Sequence, residues 1–347
     1  MIDLRSDTAT KPTAGMRAAI AAAEVGDEQR REDPTVNELE RRAAELLGQE
    51  ETVYVPTATM ANEIALRTLS EPGDELIAEE NSHVLTGELG GPAIHAGLMT
   101  RPVRGTAGRF GPDEVRAMLR RTDGSHVPPT RLVSVENTHN ASGGRVWPRA
   151  EIEALVATCR ELDLRVHLDG ARLMNAAVAS GEEAAAIGRH FDAVTLCLSK
   201  GLGCPLGAIV ASSAELAVKM RRLKHLFGGA MRQAGIVAAA GLYALDHHID
   251  RLAEDHARAR RLAEGLRAAG LAVDLEQVET NFVQIDVGPL GLGPREALER
   301  LRREGVGLSG TAHPTVLRAL THLDITDEDI DRAVEAIPRA LGALAPA

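Results

Sequence analysis

Aromatic residues, cysteines and long apolar runs are scarce in this sequence. Phe, Trp and Tyr make up only 2% of its 347 residues, so the core must consist mainly of Ala, Leu, Val and Ile. The three cysteines, Cys159, Cys197 and Cys204, show neither a disulfide framework nor the spacing of metal ligands. We therefore expect reduced thiols, a cytoplasmic location and no bound metal. No apolar run is long enough to span a bilayer, and the first residues lack the apolar core of a signal peptide, so we expect no membrane contact.

Positive charge is also in the minority. The formal net charge is −11 at pH 7, whereas nucleic-acid-binding surfaces are normally basic, so we expect no nucleic-acid partner. Hydrophobic residues account for 44% of the chain and charged residues for 26%, which is typical of a globular enzyme. The length is sufficient for one large domain and a smaller one.

Strand and helix patterns alternate along most of the chain. Short apolar runs predict strands at residues 52–55, 75–78, 131–135, 165–168, 194–198, 208–212, 281–287 and 315–321. Periodic segments predict helices at 13–23, from 34 onward, and at 60–69, 149–162, 214–223, 232–245, 249–269, 294–304 and 327–341. This alternation predicts an α/β protein with a large, mostly parallel sheet covered by helices. We expect residues 1–248 to form an N-terminal arm and the large domain, and residues 249–347 to form a linker helix and a small α+β domain.

Two of the predicted strands end in an acid and a lysine. Asp169 follows one strand and Lys200 follows the next, 31 residues later, which is about one strand–helix–strand unit. Ligands of such sheets bind beyond the carboxyl ends of the strands. A partly desolvated lysine attacks carbonyl groups, and a carboxylate keeps a pyridine nitrogen protonated. The pair therefore predicts pyridoxal phosphate held by Lys200 as a Schiff base, although Lys200 alone would also suit the solvated end of a strand.

A second candidate site lies between a predicted strand and a predicted helix. The residues there are Thr57, Ala58 and Thr59. Free backbone N–H groups at a helix N-terminus bind anions, and the threonine hydroxyls add donors, so the segment suits the cofactor phosphate. An ordinary threonine helix cap is the alternative interpretation.

Several segments together resemble the threonine aldolase / β-eliminating lyase family. They occur in one order over nearly the whole chain: Asp3-Leu-Arg-Ser6-Asp7-Thr-Ala-Thr-Lys-Pro12, Val25-Gly26-Asp27, Glu32-Asp33-Pro34-Thr35-Val36-Asn37, His83, Glu136-Asn137-Thr138-His139-Asn140, His167-Leu-Asp169-Gly-Ala-Arg172, Cys197-Leu-Ser-Lys200-Gly-Leu-Gly203, Gly228-Gly-Ala-Met-Arg232-Gln and Arg318-Ala-Leu-Thr-His322-Leu-Asp324. The resemblance implies the aspartate-aminotransferase-like fold, called fold type I. It also implies a homotetramer with active sites at subunit interfaces.

The resemblance also implies roles for individual residues. Lys200 would bind the cofactor covalently and Asp169 would pair with its pyridine nitrogen. The cofactor phosphate would be bound by Ala58, Thr59 and Arg232, and the imidazole that stacks on the cofactor ring would be that of His83. The substrate carboxylate would be bound by Ser6, Arg172 and Arg318, with Arg172 also near the cofactor ring. The implied reaction is aldol cleavage of L-threonine, L-allo-threonine and related β-hydroxy-α-amino acids to glycine and an aldehyde. Either His83 or His139 would handle the β-hydroxyl proton, unless His139 only fixes a loop.

The sequence departs from the family at the substrate side. Arg30 and Arg31 stand where Tyr-Gly is usual, Ala58 stands where Gly is usual, and the tyrosine often found after the stacking histidine is absent. Arg30 and Arg31 either enter the active-site mouth or pair on the surface with acids such as Glu28 and Glu32. Two alternatives to aldol cleavage remain: β-elimination or racemisation by the same cofactor, and a relative without catalysis, which would have no need of Lys200.

Overall fold

The computed structural model describes residues 1–121 and 126–343. Its strands are β1 Ile2–Asp3, β2 Glu51–Val55, β3 Glu75–Glu79, β4 Met99–Val103, β5 Thr130–Glu136, β6 Arg165–Asp169, β7 Ala193–Cys197, β8 Ala208–Ser212, β9 Phe282–Asp286, β10 Val306–Gly307, β11 Ser309–Gly310 and β12 Val316–Leu320. Its α-helices are α1 Ala14–Ala21, α2 Pro34–Leu47, α3 Ala58–Leu69, α4 His83–Thr86, α5 Gly91–His95, α6 Pro112–Met118, α7 Arg149–Glu161, α8 Leu173–Ser180, α9 Ala184–Gly188, α10 Ala214–Leu226, α11 Gly235–His247, α12 Leu252–Ala268, α13 Pro294–Arg303 and α14 Asp327–Leu341. Among these helices, none is long and apolar enough to cross a membrane.

In the described part of the chain, a seven-stranded sheet has the order β2-β8-β7-β6-β5-β3-β4. The strands from β4 to β7 are parallel, while β8 runs antiparallel to both β2 and β7. The prediction of a mostly parallel sheet is confirmed. Glu136 pairs with Asp169 in the register of β5 and β6, so the carboxyl ends of β5, β6 and β7 meet at one edge.

Two apolar clusters cover the large sheet. One includes Val133, Val166 and Val194 of the central strands with the buried faces of α2, α7, α8 and α11. The other includes Val53 and Leu76 with α3 and α10. Because successive side chains of a strand point to opposite faces, these clusters are the two helix layers that the alternation predicted.

A third apolar cluster belongs to the C-terminal part of the chain. It joins α12, α13 and α14 to the antiparallel sheet β11-β12-β9. Leu252, at the start of α12, packs in the first cluster, whereas Ala259 and the residues after it pack in the third. This change of partners supports a boundary at the start of α12; the division at residue 248 stays a prediction, and residues 344–347 lie outside the described part.

The N-terminal strand packs with the C-terminal sheet. β1 pairs in parallel with β10, and Ile2 and Leu4 are buried in the third cluster. Leu4 also accepts a backbone hydrogen bond from Leu320, at the end of β12. The residues that follow β1 therefore lie at the boundary between the two clusters of the large sheet and the third cluster.

Helix α3 begins two residues earlier than predicted. Thr57 is its N-cap, and the hydroxyl of Thr57 accepts a hydrogen bond from the N–H of Met60 at 3.1 Å. A threonine that accepts from the third residue of a helix satisfies one of the N-terminal donors. Ala58 and Thr59 are therefore the first two helical residues rather than loop residues.

Candidate active site

Lys200 and Asp169 lie on adjacent strands, as their spacing predicted. Lys200 follows β7 in a loop and is partly exposed. Within the described residues its ammonium group has no hydrogen-bond or ion-pair partner, while its charge acts on both Asp7 and His83. The lysine is thus surrounded by the other candidate residues without being tied to any of them. An amine held in this way is available to a carbonyl group.

Asp169 is a buried carboxylate at the end of β6, with 1% of its surface exposed. Its Oδ2 accepts a hydrogen bond from Asn62 Nδ2 at 2.9 Å, and its Oδ1 accepts one from the N–H of Ala171 at 3.1 Å. Hydrogen bonds from N–H groups favour the ionised form of a carboxyl group. The geometry therefore fits a partner for a protonated pyridine nitrogen.

The N-terminus of α3 lies beside the Lys200 loop. Gly207, just before β8, donates its N–H to the carbonyl of Pro56 and accepts a hydrogen bond from the N–H of Leu198. Within the described residues, no acceptor takes the N–H groups of Ala58 and Thr59. Open N–H groups at the positive end of a helix fit a phosphate. These donors, Lys200 and Asp169 together match the chemical groups of pyridoxal phosphate.

His83 occupies the first position of α4, beside Asp169. Its N–H donates to Glu136 Oε2 at 2.6 Å, and its Nδ1 lies 2.9 Å from Glu88 Oε1. The hydrogen bond to Glu88 raises the pKa of His83 and outweighs the opposing effect of burial. A side chain at Gly87 would overlap the imidazole ring, so the missing Cβ makes room for His83. The side chain of His83 is 38% exposed, which leaves it accessible to a ligand.

His139 lies in a different environment. Its side chain is buried, with Nδ1 2.9 Å from Ser142 Oγ and Nε2 3.1 Å from Glu79 Oε2. Burial lowers the pKa of His139, but contact with the Glu79 carboxylate reverses this and raises it. Both ring nitrogens therefore have protein partners. The structure brings His83, but not the nitrogens of His139, to an accessible position near Lys200.

Arg172 is committed to an acid that has no assigned role in the sequence analysis. Its Nε and Nη2 donate to the two carboxylate oxygens of Asp7 at 2.7 and 2.8 Å, and both side chains are buried. Burial would raise the pKa of Asp7, but the charge and hydrogen bonds of Arg172, with Lys200 and Asn281, hold it well below its usual range. The guanidinium also lies 4.8 Å from the centre of the Phe282 ring. Arg172 therefore has only Nη1 directed elsewhere.

Arg318 stands next to Arg172 and has no acid of its own among the described residues. Its Nε donates to Ser309 Oγ at 3.0 Å and its Nη1 to Asn140 Oδ1 at 2.9 Å; Arg172 Nη1 reaches the same oxygen at 3.3 Å. Burial and the charge of Arg172 lower the pKa of Arg318, against the effect of Asp7. Two guanidinium groups thus face one carboxylate. One negative charge is needed to balance this site, as the carboxylate of an amino acid would do.

The other predicted residues are placed as follows. Ser6 caps a short 3₁₀ helix, where its hydroxyl accepts from the N–H of Thr8, and it adjoins Asp7. Arg232 is exposed and pairs with Asp27 at 3.1 Å. It contacts neither Ala58 nor Thr59 through any polar bond within the described residues.

Arg30 and Arg31 pair with acids, although not with the two named from the sequence. Arg30 lies 4.0 Å from Asp27 and Arg31 lies 2.8 Å from Glu51, and both arginines are exposed. Arg31 adopts φ 60°, in the left-handed region that favours glycine.

Five residues of the site received no role in the sequence analysis. Asp7, Glu136 and Asn140 lie inside the recognised segments, but their partners are distant in sequence; Asn62 and Glu88 carried no signal that we used. Asn62 Nδ2 donates to Glu88 and Asp169 at once. Ligand-type atoms of His83, Glu88 and Asp169 come within 4.8 Å of one another. The prediction that the chain holds no metal stays a prediction.

Comparison with known proteins agrees with this geometry. The model of the family described as β-eliminating lyase matches residues 3–288. The low-specificity L-threonine aldolase of Escherichia coli (strain K12) is 39% identical over 330 residues, which cover 95% of this chain and 96% of that protein. A threonine aldolase structure from Leishmania major has a TM-score of 0.84 at 20% identity and covers 98% and 100% of the two chains.

The fold class is confirmed by a more distant structure. An aspartate aminotransferase variant from Thermus thermophilus has a TM-score of 0.74 at 19% identity and covers 98% of this chain and 91% of that one. At this level of identity the likeness concerns the fold alone. With the family model and the Escherichia coli relative, the conclusion is that the chain belongs to the β-eliminating lyase family.

Proposed function

We propose that this chain is a pyridoxal-phosphate-dependent lyase that cleaves L-threonine, L-allo-threonine and related β-hydroxy-α-amino acids to glycine and an aldehyde. The observation that carries the proposal is the positive charge of Arg318, which has no acid of its own among the described residues and adjoins Arg172 and Asp7. The charge of Lys200 also acts on Asp7. Arg318 is thus a site for the carboxylate of an amino acid next to the groups that hold the cofactor. The similarity to a low-specificity L-threonine aldolase supports the choice of substrate class.

The cofactor supplies an electron sink for the pair released when the Cα–Cβ bond breaks. Lys200 would hold it covalently, and Asp169 would pair with its pyridine nitrogen. The N–H groups of Ala58 and Thr59 would bind its phosphate, with Arg232 a further candidate. His83 would contact its ring, and Arg172 would lie on the side of the substrate. Each role follows the match between the chemistry of the residue and that of the group it would contact.

The two arginines orient the substrate. Arg318 binds the substrate carboxylate with its free Nη2, and Nη1 of Arg172 supports it from the side of Asn140. Ser6, beside Asp7, lines the same end of the site. Fixing the carboxylate restricts rotation about the bond between the amino nitrogen and Cα, so the Cα–Cβ bond is held in the orientation for cleavage. Water is excluded on this side because Asp7 and Arg172 are buried.

His83 is the proposed acceptor of the β-hydroxyl proton. Glu88 engages Nδ1, so Nε2 is the nitrogen directed to the ligand. His139 is the weaker candidate, because Ser142 and Glu79 engage both of its nitrogens. Its backbone pairs with Arg145, which fixes the loop that carries Asn140. We assign His139 to positioning rather than to proton transfer.

We further propose that the protein forms a homotetramer with active sites at subunit interfaces. We also propose that it is located in the cytoplasm. Three exposed apolar side chains support contact with another copy: Leu89 after α4, Ile94 in α5 and Leu226 at the end of α10. The rings of His95 and Phe227 pack at an angle of 54° with centroids 4.9 Å apart, which joins the ends of α5 and α10. The three cysteines are free and buried, in keeping with a reducing compartment.

The test is to incubate the purified enzyme with threonine, allo-threonine, phenylserine and hydroxyaspartate and to measure glycine and aldehyde. We expect equimolar glycine and aldehyde, and nearly complete loss of both in Lys200→Ala. A 2-oxo acid and ammonia (2-oxobutyrate from threonine) would instead indicate β-elimination, and conversion of a substrate into its Cα epimer without cleavage would indicate racemisation. Either result, or wild-type turnover in Lys200→Ala, would overturn the proposal.

A further inference from the structure

Behind His83 lies a pair of buried carboxyl groups. Glu63 is on α3 and Glu88 follows α4, and only 2% and 5% of their surfaces are exposed. The two groups are neighbours, because Gly91 donates its N–H to the carbonyl of Glu88 and lies against Glu63 Oε1. Within the described residues, no donor reaches Glu63 Oε1, Glu63 Oε2 or Glu88 Oε2. Two adjacent buried carboxyl groups repel each other when both are ionised, so one of them is expected to hold a proton.

The remaining contacts show which group holds the proton. Glu88 Oε1 accepts a hydrogen bond from Asn62 Nδ2 at 2.8 Å and lies 2.9 Å from His83 Nδ1. Glu63 has no such donors, so Glu63 is the better holder of the proton, and its O–H can supply the donor that Glu88 Oε2 lacks. In agreement, burial first and then the negative charge of Glu88 raise the pKa of Glu63 to about 9.

The surroundings of Glu63 are shaped for a carboxyl group. A Cβ at position 91 would overlap Glu63 Oε1, so Gly91 at the start of α5 leaves the space that this oxygen occupies. The titratable group acting on Glu63 is Glu88. Those acting on His83 from neighbouring elements are Glu88, Asp169 and Lys200, while Glu136 accepts its backbone N–H. The proton of Glu63 is thus two hydrogen bonds from the imidazole.

We propose that Glu63 is a positioning residue of the active site. As a carboxylic acid it donates to Glu88 Oε2, so that Glu88 stays an anion with both oxygens occupied. Glu88 then holds His83 with Nδ1–H towards itself and Nε2 towards the substrate. This inference rests on the proposed function only for the role of His83; the protonation of Glu63 is independent of it.

Infrared spectroscopy of the holoenzyme at neutral pH tests the protonation directly. A carboxylic acid has a C=O stretching band that carboxylates lack. Glu63→Gln should abolish this band, because it removes the acid. Glu40→Gln is the matched control, since Glu40 is similarly buried but forms a two-point ion pair with Arg221, and it should leave the band unchanged. Persistence of the band in Glu63→Gln would overturn the proposal whatever the substrate is.

The pH profile of kcat/KM for threonine tests the effect on His83. Glu63→Gln keeps a donor for Glu88 Oε2, so its acidic limb should coincide with that of the wild type. Glu63→Leu removes the donor, which leaves Glu88 Oε2 without a partner and weakens the hold of Glu88 on His83. The acidic limb of Glu63→Leu should move to lower pH by about one unit, with kcat reduced about tenfold and KM little changed. An unmoved limb in Glu63→Leu, or an equal shift in both variants, would refute the positioning role.

Discussion

The charge balance around Arg318 leads to a direct prediction about substrate binding. Arg318→Ala removes the guanidinium that no acid of the described chain balances. We expect kcat/KM for threonine to fall about 10- to 100-fold, mainly through KM, because a charge-assisted hydrogen bond contributes about 1.5–3 kcal/mol. Steady-state kinetics measure the loss of substrate binding, and a thermal melt of each variant measures any loss of stability.

A surface arginine provides the control for this change. Arg303 is exposed and paired with Glu299 on α13, so Arg303→Ala should leave both kinetics and melting temperature as they are. If KM in Arg318→Ala matched that of Arg303→Ala, Arg318 would not bind the substrate carboxylate.

Loss of the Asp7–Arg172 ion pair should lower the free energy of unfolding, and not only the affinity for the substrate. Asp7→Asn leaves a buried guanidinium without its anion, which costs about 3–5 kcal/mol. Asp3→Asn is the matched control, because Asp3 and Arg5 form a similar bidentate pair whose side chains are 27% and 54% exposed. Exposed pairs contribute about 0–1 kcal/mol. Urea unfolding of the three proteins at neutral pH compares the two losses.

At acidic pH, the difference in the free energy of unfolding between the wild type and Asp7→Asn should become smaller. Arg172 holds the pKa of Asp7 below its ordinary value of 3.8, so its contribution is fully present above that value and is lost as pH falls through the folded-state pKa. The wild type should therefore lose stability more steeply than Asp7→Asn below the ordinary pKa. Parallel acid unfolding curves would contradict this assignment.

Individual site residues could be predicted from the sequence where the chemistry of a residue and its spacing indicate the same role. Lys200 and Asp169 are predictable because each ends a strand and the interval matches one strand–helix–strand unit. Asn62 and Glu88 are not, because an amide that bridges two acids depends on how α3 packs against β6 and α4. The same is true of Asp7 and Arg172, whose side chains meet across 165 residues of sequence.

Among the elements, the N-terminus of α3 offers the sharpest test of cofactor binding. Ala58→Asp places a carboxylate at the first helical position, where it suits the helix dipole but repels a phosphate. We expect the dissociation constant of pyridoxal phosphate to rise about 10- to 100-fold, the effect of about 1.4–2.8 kcal/mol between nearby like charges. Fluorescence titration of the apoenzyme gives this constant.

Helix α1 supplies a matched control for Ala58→Asp. Ala14 also occupies the first helical position after a threonine cap, and it is exposed. Ala14→Asp should leave cofactor affinity unaltered. Equal affinities in Ala58→Asp and the wild type would show that the phosphate binds elsewhere.

β4 shows where element prediction from sequence failed. Its residues are Met-Thr-Arg-Pro-Val, largely exposed, and it pairs only with β3 at the edge of the sheet. An edge strand tolerates proline and lacks the continuous apolar run of a buried strand, so its pattern resembles that of a loop. The central strands, buried on both faces, were predicted to within one or two residues for the opposite reason.

For the whole molecule, the proton on Glu63 should make stability depend on pH. Its pKa is about 9 in the folded chain against an ordinary 4.5, so the contribution is fully present below 4.5 and is lost as pH rises towards 9. Between these values the folded state keeps a proton that the unfolded chain releases. The free energy of unfolding should therefore fall with rising pH by about 1.4 kcal/mol per unit from this group.

Comparison with Glu63→Gln isolates that slope from all other groups. The variant does not titrate, so its unfolding free energy should decline less steeply with pH than that of the wild type. Urea unfolding of both holoenzymes at three pH values within the window measures the difference. Identical slopes would mean that Glu63 is ionised in the folded protein.

The pairing of Ile2 with Val306 has a consequence for synthesis of the chain. The first strand leaves the ribosome early, but its partner is made 304 residues later. Until then Ile2 and Leu4 are exposed apolar residues, and Asp7 is anchored on one side only. The large sheet can form while translation continues, since domains generally fold as units. The two arginines that we propose for substrate binding, by contrast, come together only after β12 has been translated, so the proposed carboxylate site forms later than the large sheet.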